Sequence, residues 1–388
     1  MFTVGIHDLS FATGNYVLAH TVLADHSGVD VGKFHIGIGQ EQMSVTAPDE
    51  DIVTMAASAA EPIVAEHGTV GLRTVVLATE SSIDQSKSAG VYVHDLLGLP
   101  TATRVVELKQ ACYGATAALQ FALGLVCRNP SERVLVIASD VAKYDLDTSA
   151  EATQGGAAVA MLITAEPALV RLDHPSGVFT ADIMDFWRPN YRATPIVDGK
   201  SSITAYLEAV EGAWKDYSVQ GGRPASDFAA FCYHQPFTKM AIKAHRHLAE
   251  CAGLETSDAS LLAAVGDTLR YNRLIGNSYT ASLYLALASL LDGDRDLSGA
   301  AVAFLSYGSG SVAEFFSGTV VPGYRDRLRT AANHAVIEQR EPVEYQRYRE
   351  LHEYALPTDG SERMLARTTR GRYRLAGVAD HKRIYERH

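Results

Sequence analysis

Three residues of reactive types stand where predicted buried strands or strand-helix junctions end. Glu80 comes after TVVLAT, Cys112 after VVELKQA, and His234 after FAAFCY. In layered α/β proteins ligands bind in the crevice beyond the strand ends, so we expect these side chains to face one site. A nucleophile, a carboxylate and an imidazole are the groups that acyl transfer with proton abstraction requires. Taken singly, each also fits a plain structural role: a buried apolar cysteine, a solvated acid or a core histidine.

Cys112 stands where an amphipathic helix is predicted to begin. Apolar side chains then recur at intervals of three and four, and they form one stripe of Ala115, Ala118, Leu119, Ala122, Leu123 and Val126. The free N–H groups of a helix start would point at the sulfur, and their field favours thiolate over thiol. Small residues at 114–116 would let a substrate approach the sulfur closely.

The composition restricts the partners. Of the 388 residues, 47% are hydrophobic and 20% are charged, with a formal net charge of −11. Nucleic acids and anionic membranes require a basic surface, so neither is expected as a partner, and an anionic substrate needs a local basic patch. Lys239 and Lys243, one helical turn apart, begin such a patch, and residues 245–247 (His-Arg-His) extend it. A solvated charged helix face would give the same pattern.

The cysteines and the apolar runs give information about the cellular compartment and about membrane spans. Four cysteines, at positions 112, 127, 232 and 251, show neither a disulfide framework nor metal-ligand spacing. We therefore expect a reducing cytoplasm and no metal site, since residues 245–247 have no third ligand at a useful spacing. No signal peptide is visible, and no uninterrupted apolar run reaches the length of about 18 residues that spans a membrane.

The order of elements predicts a layered α/β fold. Short buried strands at 74–78, 133–139 and 157–163 alternate with helices, which places helices on both faces of a sheet. From residue 228 the same order of strands and helices is repeated, with a small-residue junction at 274–281 that mirrors the one at Cys112. We predict two halves, 1–170 and 171–388, with an insert or crossover at about 171–222. A pair of strands with a turn near Gly318 and a peripheral helical tail from residue 325 complete the prediction.

Seven segments together resemble the hydroxymethylglutaryl-CoA synthase family, in order across nearly the whole chain. They are ATESSID (78–84), ELKQACYGATAALQ (107–120), ATQGGAAVAM (152–161), DFWRP (185–189), YHQPFTKM (233–240), GNSYTASLYLAL (276–287) and SYGSGSVAEFF (306–316). The likeness is to the bacterial, mevalonate-pathway type. It implies a thiolase-like α-β-α-β-α fold with two pseudo-repeated halves, a homodimer, and CoA thioesters as substrates with no permanently bound cofactor.

The resemblance also implies roles for individual residues. Cys112 would be the acyl-accepting nucleophile, Glu80 the general acid/base, and His234 the group that polarises the acetoacetyl carbonyl. Backbone N–H groups at Cys112 and Ser309 would bind an oxyanion, and glycines in 306–311 allow close approach, although an ordinary tight turn fits that segment too. Further family positions are the pocket residues Asp30, Tyr144, Thr153, Ser202 and Asn277, the supporting acids Asp140 and Asp185, and the CoA-binding Lys239 and Lys243.

The implied reaction condenses acetyl-CoA, through an acetyl group on Cys112, with acetoacetyl-CoA and water to give 3-hydroxy-3-methylglutaryl-CoA. Thiolases would add a second, late cysteine, whereas no cysteine follows Cys251, and Cys–His–Asn ketoacyl synthases lack the glutamate that Glu80 supplies. Two alternatives stay open at this point. One is a polyketide β-branching synthase that acts on acetoacetyl-acyl carrier protein, and the other is a non-catalytic binding protein that keeps the fold.

Overall fold

The computed structural model describes residues 3–388 as seventeen strands and twelve α-helices. The strands are β1 (Val4–Thr13), β2 (Tyr16–Ala19), β3 (Gln42–Val45), β4 (Leu72–Ala78), β5 (Arg104–Leu108), β6 (Arg133–Val141), β7 (Gly156–Ala165), β8 (Val170–Thr180), β9 (Phe186–Trp187), β10 (Ile196–Val197), β11 (Phe228–Tyr233), β12 (Ala301–Gly308), β13 (Val312–Val320), β14 (Glu341–Pro342), β15 (Arg363–Met364), β16 (Tyr373–Ala379) and β17 (Lys382–Arg387). The helices are α1 (His20–Ser27), α2 (Gly32–His35), α3 (Ile52–His67), α4 (Ala89–Leu96), α5 (Gly114–Arg128), α6 (Gly199–Val219), α7 (Lys239–Ala252), α8 (Asp258–Val265), α9 (Arg270–Ile275), α10 (Ser282–Leu291), α11 (Thr330–Glu338) and α12 (Tyr345–Glu353).

A nine-stranded mixed sheet runs through both halves in the order β11-β12-β13-β8-β1-β7-β6-β4-β5. The two halves meet at β1 and β8, which pair only at Gly5 with Arg171 and at Ile6 with Val170. In the first half β4 and β6 are parallel, β6 and β7 antiparallel, and β1 lies beside β7. The second half repeats this with β11, β12, β13 and β8, which confirms the predicted repeat of order.

Alternate residues of the strands pack against different helix layers. Val76 and Val134 face the central helices α5 and α10, whereas Val75 and Leu135 face α3 and α4 on the outer side. In the second half, Phe304 faces the central layer, and its neighbours along β12 pack under α6 and α7. Strands buried on both faces are therefore apolar throughout, and the result is the predicted α-β-α-β-α layering.

The two central helices, α5 and α10, differ in how much of their surface is buried. Every residue of α10 is buried, while α5 buries only one apolar stripe and leaves Phe121 exposed. By length and composition alone the stretch Ala111–Arg128 could cross a membrane, and 44% of it is buried inside the protein. A single such helix is weak evidence of a membrane span, because the core helix of a globular domain passes the same test.

The prediction of two strands joined by a turn near Gly318 is wrong. Residues 312–320 form one continuous strand, β13, with an irregularity between Phe316 and Gly318. A side chain at Gly318 would come within 2.7 Å of the Val170 side chain and 2.8 Å of the Arg171 carbonyl oxygen. The glycine is needed for close packing on β8, and it marks no turn.

The segment predicted as an insert begins with a core element. β8 occupies the first part of 171–222 and lies in the nine-stranded sheet, and only the residues after it, including β9, β10 and α6, leave the sheet. The division of the chain at residue 170 stays a prediction.

The tail is not wholly helical. After α11 and α12 it forms a small antiparallel sheet of β15, β16 and β17. Tyr373 is buried, and Tyr385 donates a hydrogen bond to the Asp51 carboxylate (2.6 Å) at the start of α3. The tail therefore covers the N-terminus of a core helix.

Candidate active site

Cys112 lies in the short connection between β5 and α5. The preceding Ala111 has φ +43°, in the left-handed region, where a non-glycine residue is rare and costs about 1–2 kcal/mol. Cys112 is 8% exposed, and its Sγ donates a hydrogen bond to Oε2 of Glu80 at 3.1 Å. The structure therefore brings together the predicted nucleophile and the predicted base.

Glu80 is held by its neighbours on a buried aspartate. The connection after β4 wraps around Asp140, whose Oδ1 accepts the Glu80 N–H (2.8 Å), the Ser81 N–H (2.9 Å) and the Thr79 hydroxyl (2.8 Å). The other oxygen of Asp140 accepts the N–H of Thr280 (3.1 Å). Burial and the negative charge of Asp140 raise the pKa of Glu80 to about 8.

The predicted thiolate is not the resting form of Cys112. Burial, followed by the charge of Glu80, raises the pKa of the Cys112 thiol well above its usual value. Burial, together with the nearby carboxylates of Glu80 and Asp140, outweighs the attraction of the helix start for a thiolate. At rest the thiol keeps its proton and donates it in a hydrogen bond to Glu80.

His234 directly follows β11 and is buried. Its backbone N–H donates to the Leu305 carbonyl (3.0 Å), and its carbonyl accepts the Tyr206 hydroxyl (2.8 Å). The side chain is 2% exposed, and burial lowers its pKa to about 3, so the imidazole is neutral.

Aromatic rings form a wall beside the sulfur. Cys112 packs in one buried cluster with Tyr144, Phe186 and Tyr279, in which each pair of rings meets edge-on at centroid distances of 5.9 to 6.2 Å. The Asn277 amide donates to the Tyr144 hydroxyl (3.2 Å). Phe186 and Tyr279 are new relative to the sequence prediction, although both lie in segments that carry the family resemblance.

The junction before α10 is fixed by the turn that contains Thr153. The N–H of Asn277 donates to the Thr153 carbonyl (2.9 Å), while the Thr153 hydroxyl donates to Ala150 (2.7 Å). The Asn277 side-chain oxygen accepts the N–H of Tyr279 (3.0 Å), a residue with φ +45°. A backbone hydrogen bond thus joins Asn277 and Thr153, two of the predicted pocket residues.

The glycine-serine segment lies against the nucleophile loop. A side chain at Gly308 would come within 2.5 Å of the Gln110 carbonyl oxygen, so only glycine permits this approach. The Gln110 amide donates to the Ser309 carbonyl (3.4 Å). Asp185 is buried and accepts the N–H of Gly310 (3.0 Å) and the hydroxyl of Tyr307 (2.9 Å), which fixes the segment from the other side.

Two predicted pocket residues, Asp30 and Ser202, are not hydrogen-bonded to the proposed catalytic residues. Asp30 is exposed and accepts the N–H of Gly32 (2.7 Å) beside α2. Ser202 lies in the first turn of α6, one turn before Tyr206 on the same helix face. Within residues 3–388, no hydrogen bond joins either of them to Glu80, Cys112 or His234.

The two lysines lie on α7 as predicted, but the basic cluster is smaller. The Lys239 ammonium donates to the Ile36 carbonyl (3.0 Å), and Lys243 is exposed over the Phe237 ring. The prediction that residues 245–247 extend this basic cluster is wrong for His245. Its side chain is buried against Tyr233, and burial lowers its pKa to about 4. Arg246 is paired with Asp258 (2.8 Å).

Two further cations lie at the rim of the Glu80 cavity. The Arg188 guanidinium donates to the Glu80 carbonyl (3.3 Å), and its charge counteracts the rise in the pKa of Glu80. Lys143 lines the same cavity, and burial lowers its pKa. Neither cation was predicted, although Arg188 belongs to the DFWRP segment.

The chain matches known proteins over most of its length. The family model described as hydroxymethylglutaryl-coenzyme A synthase N terminal matches residues 2–168, and the C-terminal model matches residues 170–252 and 246–350. A hydroxymethylglutaryl-CoA synthase of Enterococcus faecalis is 42% identical over 92% of this chain and 93% of its own. A polyketide biosynthesis 3-hydroxy-3-methylglutaryl-ACP synthase of Bacillus subtilis is 31% identical over 90% and 87%.

Solved structures of similar proteins superpose closely on this chain. An HMG-CoA synthase complexed with CoA superposes with a TM-score of 0.94 at 37% identity, covering 99% of this chain and 100% of the other. The HMG synthase of the curacin pathway, in complex with an acetyl donor carrier protein, has a TM-score of 0.93 at 29% identity and covers 99% and 100%. These matches confirm the predicted resemblance and the thiolase-like fold: the chain belongs to the hydroxymethylglutaryl-CoA synthase family.

Proposed function

We propose that this protein condenses acetyl-CoA with acetoacetyl-CoA and water to give 3-hydroxy-3-methylglutaryl-CoA and CoA. The observation that carries the proposal is the 3.1 Å hydrogen bond from Cys112 Sγ to Glu80 Oε2 in a buried, aromatic-walled site. A thiol that already points its proton at a carboxylate with a raised pKa is set for nucleophilic attack assisted by a base.

In the first step Glu80 accepts the thiol proton as Cys112 Sγ attacks the acetyl carbonyl. The C–S bond to CoA breaks, and the leaving thiolate takes up the proton, which leaves acetyl-S-Cys112. A pKa of Glu80 near 8 suits this exchange, because the carboxylate is then basic enough to accept a proton and acidic enough to return one. Proton transfer to Glu80 also removes the negative charge that would oppose a thiolate 3.1 Å away.

In the second step the Glu80 carboxylate removes a proton from the acetyl methyl group. The enolate carbon forms a bond to C3 of acetoacetyl-CoA, and the ketone oxygen becomes an alkoxide that takes up the proton held by Glu80, which restores the carboxylate. A neutral His234 serves here as a hydrogen-bond donor to that oxygen, and burial keeps it neutral. Backbone N–H groups at Cys112 and Ser309 stabilise the thioester oxyanion, each contributing about 3 kcal/mol.

Water then hydrolyses the Cys112 thioester, restores the thiol and releases the product. Asp140 and Asp185 act as positioning residues, since one fixes the Glu80 backbone and the other the segment that contains Ser309. Tyr144, Thr153 and Asn277 shape the acyl pocket, with Ser202 and Asp30 toward its outer end. Lys239 and Lys243 bind the pantetheine and phosphate end of CoA.

A carrier-protein substrate is the second candidate, since relatives of both kinds match. The greater identity to the Enterococcus protein (42%) than to the Bacillus one (31%) favours free CoA thioesters. The test is to compare turnover of acetoacetyl-CoA with that of acetoacetyl attached to a carrier. Turnover only of the carrier form would refute the proposal, and no acetyl labelling at all would indicate a non-catalytic binding protein.

The setting of this activity is proposed on the same basis. We place it in the mevalonate route to isoprenoids, in the cytoplasm, without a permanently bound cofactor. A homodimer is supported by β5, the outer strand of the large sheet, where Val106 is 39% exposed, and by Phe121 of α5, which is 60% exposed. A free strand edge with exposed apolar side chains favours pairing with a second copy. Light scattering that finds only monomers would exclude the dimer.

A further inference from the structure

Helices α6 and α7 bring together three partly exposed side chains of types that ligate metals, none of them among the proposed catalytic residues. His247 and Cys251 lie four residues apart on one face of α7, and Glu211 reaches them from α6. One donor atom from each lies within 4.8 Å of the other two. Glu211 Oε2 is 3.5 Å from His247 Nε2, which in turn is 4.0 Å from Cys251 Sγ.

These separations fit a tetrahedral zinc ion. With Zn–N, Zn–O and Zn–S bonds of about 2.0 to 2.3 Å, tetrahedral geometry requires nitrogen–oxygen separations of about 3.4 Å and nitrogen–sulfur separations of about 3.6 Å. The first matches the structure, and the second needs only a small rotation of the Cys251 side chain. The His247 and Glu211 side chains are 28% and 37% exposed, so an ion can reach them from solvent.

We propose that Glu211, His247 and Cys251 form a zinc-binding site with water as the fourth ligand. Imidazole, thiolate and carboxylate together are a donor set that Zn²⁺ prefers over the hard cations Mg²⁺ and Ca²⁺. Binding forms a Zn–S bond as the Cys251 thiol loses its proton to solvent, and the other two ligands displace water from the ion. Such a site does not stand out in the sequence, because the third ligand comes from a different helix.

The ion would tie α6 to α7. The other carboxylate oxygen of Glu211 is paired with Lys215, which leaves Oε2 free to bind the metal. Because α6 carries Tyr206, whose hydroxyl binds the His234 carbonyl, the zinc bridge would restrain a helix that supports the acyl site. An ion that binds only the folded protein also raises its melting temperature.

The test is site-resolved alkylation of the metal-free, reduced protein with and without Zn²⁺, followed by peptide mass spectrometry. Zinc should slow alkylation of Cys251 by about tenfold or more, because a metal-bound thiolate is a poor nucleophile. Cys127 is the internal control: it is also free and exposed, and its rate should stay within about twofold. Resolving each peptide separates this site from any zinc bound at Cys112.

Variants show which side chains hold the ion. His247→Ala and Glu211→Gln should each abolish the protection of Cys251 and, like Cys251→Ser, abolish the zinc-dependent rise in melting temperature. Lys215→Met keeps the Glu211 carboxylate and removes the cation that competes for it. In this variant zinc should protect Cys251 from alkylation at least as well as in the native protein. Equal protection of Cys127, protection by Mg²⁺, or full protection in His247→Ala would overturn the proposal.

Discussion

Replacing Glu80 with glutamine should lower the pKa of the Cys112 thiol. In the native protein the thiol lies 3.1 Å from the Glu80 carboxylate, whose charge opposes ionisation of the sulfur. Two unit charges at this distance interact by about 5 kcal/mol at an effective dielectric constant of about 20, which corresponds to about 4 in pKa. Glu80→Gln removes this repulsion but leaves burial and Asp140 in place, so we expect the thiol pKa to fall by at least about 2.

The assay is the pH dependence of iodoacetamide alkylation at Cys112, read by peptide mass spectrometry. The exposed Cys127 and Cys251 in the same sample report the intrinsic pH dependence of the reagent. We expect Glu80→Gln to shift the Cys112 profile to lower pH and to lose condensation. Acetylation by acetyl-CoA should be slower without the base but not abolished, because the thiol then ionises more readily. A Cys112 profile that stays in place or moves to higher pH would refute the electrostatic reasoning.

Four other predictions concern the same site. Cys112→Ala should abolish trapping of labelled acetyl on the protein, and a normal yield of acyl-enzyme would exclude it as nucleophile. His234→Ala should slow the discharge of acetyl-enzyme by acetoacetyl-CoA about a hundredfold, since the forming alkoxide loses its donor; unchanged kinetics would remove His234 from the site. In Asp140→Asn an amide N–H would face the N–H of Thr280, and a hydrogen bond would be lost. We expect the free energy of unfolding, measured by urea titration, to fall by about 1–3 kcal/mol. An unchanged urea midpoint of unfolding would contradict the role of Asp140. Acetylation by the native enzyme should accelerate with rising pH and be half-maximal near the Glu80 pKa of about 8, because the base must be ionised, and a flat profile would argue against Glu80.

Local patterns in the sequence predicted most of the layered core. The apolar runs that became β4, β6, β7 and β11 are long enough to be recognised alone, because strands buried on both faces exclude polar residues. Gly318 was misread, since a glycine that permits close packing on β8 and a glycine in a turn look alike in sequence. The strands of the tail were also missed: their arginines and tyrosines pack partly on α3, a contact that only the folded chain creates.

The residues of the candidate site could be predicted from the sequence, but the pKa shifts of their side chains could not. Strand ends indicated where Glu80, Cys112 and His234 would lie, and the structure joins the first two directly. The thiolate prediction failed because the helix start is a local signal, whereas the burial of Cys112 and the opposing charges of Glu80 and Asp140 arise from other segments. The prediction for His245 failed for a similar reason: in a run with Arg246 and His247, only packing reveals that its side chain points into the protein.

The most direct test of the central claim follows one acetyl group through the reaction. The native protein is incubated with acetyl-CoA, and the modified peptide is located by mass spectrometry before and after acetoacetyl-CoA is added. The proposed mechanism predicts a single acetyl group on Cys112 that disappears as 3-hydroxy-3-methylglutaryl-CoA forms in equal amount. Acetylation elsewhere, or an acetyl group on Cys112 that persists while product accumulates, would contradict it.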